Sequence, residues 1–66
     1  MKLFYKIDIL AALRSAGFSS YRLRRDRILG EAVIQKLRCG EGVGWSTLEL
    51  ICNLLDCQPA DLIEMR

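Results

Sequence analysis

Apolar positions recur at three- and four-residue steps through most of the chain, the period of a helix with one buried face. Ile9, Leu10, Leu13 and Ala16 predict a first helix over about 8–16, and Gly17 is its left-handed stop because it has no Cβ to clash there. Ser19 and Ser20 are natural N-caps, since a short hydroxyl accepts from a free backbone N–H. They open a second helix predicted over about 20–27, with Leu23 and Ile28 inward and Arg22, Arg24 and Arg25 outward. Gly30 marks the next break, and a third helix over about 31–38 carries Ile34 and Leu37 on its inner face. Ser46-Thr47-Leu48-Glu49 has the capping-box pattern and begins a fourth helix predicted over about 46–55, burying Leu48, Ile51, Cys52 and Leu55. Pro59 suits the first turn of a fifth helix over about 59–64, where its missing N–H costs nothing, and Leu62 and Ile63 close the core.

The segments between these elements are less patterned. Met1 to Ile7 alternates loosely and is either a short extended arm or the ragged lead-in to the first helix. Phe4 and Tyr5 within it read equally as a dimer contact or as packing against the fifth helix. Cys39-Gly40-Glu41-Gly42-Val43-Gly44 is a glycine-rich loop, with Trp45 expected as the apolar plug that seats it on the core. The expected fold is therefore all-α, a compact four- to five-helix bundle in one domain spanning 1–66. An apolar content of 52%, with one Pro and five Gly, supports a packed helical core over disorder.

Charge singles out one part of this bundle. From Arg14 to Arg38 seven basic residues (Arg14, Arg22, Arg24, Arg25, Arg27, Lys36, Arg38) face only Asp26 and Glu31, a balance of +5 within a chain of net +2. From Cys39 onward, Arg66 stands against Glu41, Glu49, Asp56, Asp61 and Glu64. Segregation of this kind gives one side a positive potential, which phosphate backbones reward through counterion release. The same arginines also read as an ordinary solvated face.

Catalysis finds no support. The chain has no histidine, no nucleophile beside a base and no cofactor loop, and the three loop glycines follow no strand, as a phosphate-binding fingerprint requires. Three cysteines without histidine fall short of the four ligands of a structural zinc site. The odd thiol count fits a reducing cytosol. No stretch approaches the roughly 20 apolar residues of a membrane span, and Lys6 and Asp8 interrupt any export signal. Sixty-six residues are too few to add a small-molecule sensor domain.

The order of elements resembles the phage-repressor and Cro-like helix-turn-helix family of the xenobiotic-response-element type, in its compact single-domain subgroup. The resemblance rests on Tyr21-Arg22-Leu23, on Val33 to Gly40, on Ser46-Thr47-Leu48-Glu49 with Ile51 to Leu55, and on Asp56 to Glu64. It implies a lambda-repressor-like fold and a cytoplasmic, nucleoid-associated regulator from a bacterium or phage. Its partner would be double-stranded DNA, bound as a homodimer, with the third helix in the major groove and the second across the backbone. Glu31, Ala32, Gln35 and Lys36 fall at base-reading positions. Ser20, Tyr21, Arg22, Arg24 and Arg25, with Arg38 and Cys39, fall where phosphates are met. Arg24 and Ile28 stand where common members carry a small residue and a turn glycine, and Gly30 replaces the usual polar cap. Glu31 and this altered turn leave room for a second function, a protein-interaction module (an adaptor or antitoxin-like component) on the same fold.

Overall fold

A computed structural model describes residues 1–66. The elements are β1 (Leu3–Tyr5), α1 (Ile9–Ser15), α2 (Ser20–Arg25), α3 (Glu31–Cys39), α4 (Trp45–Leu55), a 3-10 turn at Pro59–Asp61, and β2 (Ile63–Met65). The four helices enclose one cluster of eight buried side chains: Ile9, Leu13, Leu23, Leu29, Ile34, Leu37, Ile51 and Leu62. No polar group is buried among them. Each helix contributes at least one member, and the apolar faces expected from periodicity pack except at Ala16, which is exposed at the end of α1.

All four helices end in the same way. The residue just past the last turn is left-handed: Gly17 at φ +97°, Arg27 at +54°, Gly40 at +78° and Asp56 at +51°. Its own N–H and the next one then turn back to carbonyls of the final turn. After α1 these bonds run from Gly17 to Arg14 (3.0 Å) and Phe18 to Leu13 (2.8 Å), and after α2 from Arg27 to Arg24 (3.2 Å) and Ile28 to Leu23 (2.9 Å). Gly40 to Leu37 with Glu41 to Lys36 closes α3, and Asp56 to Asn53 with Cys57 to Cys52 closes α4. This Schellman arrangement satisfies carbonyls that the helix itself leaves unpaired. An L-residue pays roughly 1–2 kcal/mol for the left-handed conformation, which glycine avoids, and Asp tolerates it better than a long side chain does. Arg27 is therefore the strained one of the four.

The helix starts divide by chemistry. Asp8 caps α1 by accepting from the Ala11 N–H at 3.1 Å, and Ser19 caps α2 by accepting from Arg22 N–H at 3.2 Å. Gly30 and Gly44 precede α3 and α4 with no side-chain cap.

Four expectations are corrected. First, α4 begins at Trp45, one residue early, so Gly44 is its cap and the reciprocal Ser46–Glu49 capping box does not form. Second, Trp45 is 85% exposed and plugs nothing. As a helical residue it shares the i, i+4, i+8 stripe with exposed Glu49 and Asn53, while Leu48, Ile51 and Leu55 lie on the inner side. The loop is held instead by half-buried Val43 and by the Tyr5 hydroxyl, which donates to the Glu41 carbonyl at 2.7 Å. Third, the fifth helix is one 3-10 turn followed by β2. Leu62 is buried at its end, and β2 pairs antiparallel with β1 in the register Leu3↔Met65, Phe4↔Glu64, Tyr5↔Ile63. Pairing gives both three-residue strands partners for backbone groups that neither can satisfy alone. Backbone bonds between Lys2 and Arg66 (2.6 and 2.8 Å) and from Lys6 to Leu62 (2.7 Å) extend the ladder, so the extended arm is realised around Leu3–Tyr5, and the chain bends at Lys6 and Ile7 before α1. Fourth, α2 stops at Arg25 rather than Arg27, and the turn at Arg27 sends Leu29 fully into the core while Ile28 is only half-buried.

Candidate nucleic-acid interface

α3 presents a clean division of faces. Ile34 and Leu37 are buried and Val33 is half-buried, whereas Glu31, Ala32, Gln35, Lys36, Arg38 and Cys39 are exposed. Nine residues make a rod of about 14 Å at 1.5 Å per residue, a fit in length and girth to a major groove roughly 12 Å wide. All four expected base-reading residues therefore lie on the open side of one short helix.

The basic residues of α2 are also exposed, but they are not equally free. Arg22 is engaged three ways. Its Nη1 donates to the Gly17 carbonyl at 2.9 Å, its guanidinium lies 4.9 Å from the Phe18 ring centroid, and its Nε is 3.6 Å from Asp26. It fastens the α1–α2 corner. Arg25 reaches Asp26 at 3.0 Å and stacks 5.6 Å from the ring centroid of Tyr21, which is itself exposed. Arg24 spans the turn: its Nε and Nη2 donate to the two carboxylate oxygens of Glu31, tying α2 to the first residue of α3. Gln35 Nε2 also donates to Glu31 Oε1, at 3.4 Å. Glu31 is thus neutralised from within the protein and does not stand as a bare anion at the end of α3.

Titration behaviour follows these contacts. The hydrogen bond from Arg24 holds the Glu31 carboxyl below its ordinary value, with smaller help from Gln35 and Arg38. The hydrogen bond from Arg25, supported by Arg22, does the same for Asp26. Both groups are charged at neutral pH, and each screens the arginine that it touches. Arg27, Lys36 and Arg38 form no ion pair with any carboxylate. Ser20, at the start of α2, is half-buried, and Cys39 is an exposed free thiol at the far end of α3.

No group of three or more His, Cys, Asp or Glu side chains converges to hold a metal ion. No helix is long and apolar enough to cross a membrane. The largest surface depression lies along α4, between Trp45, Leu48, Cys52, Cys57 and Pro59, away from the basic residues in sequence and lined by no cation. Periodicity missed two features, the exposed Trp45 and the left-handed Arg27. The first was legible from Glu49 and Asn53 sharing its stripe; the second had no local signal, because neither Asp26 nor Arg27 is a habitual turn-closing glycine.

A two-helix unit with a buried seam, an exposed second helix and cations on both helices defines a helix-turn-helix nucleic-acid-binding domain. Residues 6–66 match the family model of the Cro/C1-type HTH DNA-binding domain, and the chain belongs to that family. A relative from Bacillus subtilis (strain 168), the uncharacterized HTH-type transcriptional regulator YozG, is 32% identical over 66 residues, covering 100% of this chain and 79% of the relative. No solved structure gives a significant match.

Proposed function

We propose that this chain is a sequence-specific, double-stranded DNA-binding transcription regulator that lays α3 in the major groove and rests α2 on the phosphate backbone. The observation that carries the reading is the exposed side of α3, with Ala32, Gln35 and Lys36 open to solvent above a seam of Ile34 and Leu37. Lys36 is suited to guanine O6 or N7, Gln35 to an adenine edge and the Ala32 methyl to a thymine methyl. Glu31, expected among the base readers, is assigned here to positioning: its carboxylate sets the start of α3 against α2 through Arg24 and orients Gln35. Arg25, Arg38, Tyr21 and Ser20 supply backbone contacts, which fix orientation without reading sequence. Regulators of this kind bind two-fold operators as homodimers, with half-sites about one helical turn apart. A bacterial or phage cytoplasm, at the nucleoid, is the matching location.

Selection of bound duplexes from a random pool tests this reading. A recovered site with two-fold symmetry supports the homodimer, and loss of discrimination at one base pair in Lys36→Ala or Gln35→Ala assigns the reader. Recovery of no preferred sequence contradicts it. The exposed Trp45, beside a depression of mixed polar and apolar lining in the acidic half of the chain, favours a second reading as a protein-interaction module. Trp45→Ser separates the two: the module loses its partner, whereas operator recognition by α3 is unchanged.

A further inference from the structure

We propose that Arg27 is a phosphate-binding residue of this DNA interface, and that the α2–α3 turn keeps an arginine in the left-handed conformation to aim it at the backbone. The proposal rests on the major-groove reading above and picks out Arg27, which the sequence offered only as one arginine of the positive segment.

Two observations converge on it. The first is conformational. Of the four helix-closing positions, two hold glycine and one holds Asp, but the turn between α2 and α3 holds Arg27 at φ +54°. Glycine would close α2 with the same two hydrogen bonds and no strain. Side chains held in unfavourable backbone regions concentrate where the side chain is used. The second is electrostatic. Within Arg22 to Arg27, Arg22 and Arg25 are bound to Asp26 and Arg24 to Glu31, and Arg27 alone has no carboxylate partner. Its guanidinium forms no hydrogen bond and no stack within the protein, while it shares an open cleft with Arg24, Leu29, Gly30 and Glu31 at the junction of the two helices. With α3 in the groove and α2 across the backbone, the open junction between the two helices is where the Arg27 guanidinium would meet a phosphate. The other three arginines would have to leave a carboxylate to bind phosphate. Arg27 has nothing to leave.

The test is a fluorescence-anisotropy titration of the full chain on a pool-selected duplex across a range of salt, with Arg27→Gly and Arg27→Lys beside the native protein. Arg27→Gly relieves the turn, so it folds, and its melting temperature rises by several degrees. Its affinity falls roughly 3- to 10-fold at low salt, uniformly across sequences, and its log–log salt slope becomes shallower by about 0.9. Arg27→Lys keeps the native slope and most of the affinity. Native affinity and slope in Arg27→Gly overturn the proposal while leaving groove binding by α3 intact. Absence of binding by the native protein to any duplex overturns both, so the two failures are distinguishable.

Discussion

Replacing Gly40 with alanine isolates the backbone energetics that end α3. Gly40 sits at φ +78°, and a Cβ added there meets no atom within 4 Å, so no packing term enters. What remains is the left-handed conformation, roughly 1–2 kcal/mol for an L-residue, less the smaller entropy that alanine retains in the unfolded chain, about 0.4–1 kcal/mol. The net loss is about 1 kcal/mol. Against a total stability of roughly 3–10 kcal/mol for a domain of this size, that lowers the melting temperature by about 4–8 °C. Gly42→Ala is the internal control: a Cβ there also meets nothing, but its φ is not left-handed, so its stability holds or rises slightly. Urea and thermal unfolding followed by far-ultraviolet circular dichroism measure both, since Trp45 is already solvent-exposed and reports little on unfolding. A Gly40→Ala protein as stable as the native one, or a Gly42→Ala protein that loses as much, refutes the assignment of this closure as a conformational constraint.

Three further outcomes follow from the same geometry. Ile34→Ala, at a fully buried position linking α3 to the core, loses about 2–5 kcal/mol, a large share of the domain's stability, which a lowered denaturation midpoint reads directly. Glu31→Ala breaks the clamp on Arg24 and removes an anion from the end of α3; DNA binding becomes tighter and its salt dependence steeper, with sequence discrimination reduced as Gln35 loses its orienting partner. Acid destabilises the fold through Glu31 and Asp26: both carboxyls are held below their ordinary values in the folded chain, so the unfolded chain binds more protons as pH falls through that range. Their contribution is intact at neutral pH and is lost progressively below about pH 5. With no histidine in the chain, a melting-temperature profile that is flat from about pH 6 to 8 and descends on the acid side is expected.

The helices and their inner faces were legible because Leu13, Leu23, Ile34 and Ile51 obey a local period that burial enforces. The exposed side of α3 followed directly from the same period, and with it the candidate readers Ala32, Gln35 and Lys36. Features set by contacts distant in sequence were not legible. β1 and β2 are three residues each, pair across nearly the whole chain and share no turn, so neither carries a hairpin signal; Pro59 and Leu62 therefore looked like another helix. Ser46 and Glu49 matched a capping box, but the chain entered α4 one residue earlier, which makes Trp45 a helical residue on the exposed stripe of Glu49 and Asn53. The electrostatics of the interface were half visible. Composition gave the positive segment, whereas the pairings that engage Arg22, Arg24 and Arg25 and leave Arg27 open depend on the angle between α2 and α3.

Intermolecular nuclear Overhauser effects between the protein and a pool-selected duplex test the central claim most directly. The expected result is contact from the Ala32 methyl and from the side chains of Gln35 and Lys36 to thymine methyl and cytosine H5 protons, which line the major groove. Contacts confined to sugar protons or the minor groove, or a bound surface centred on Trp45 with α3 unperturbed, would contradict it.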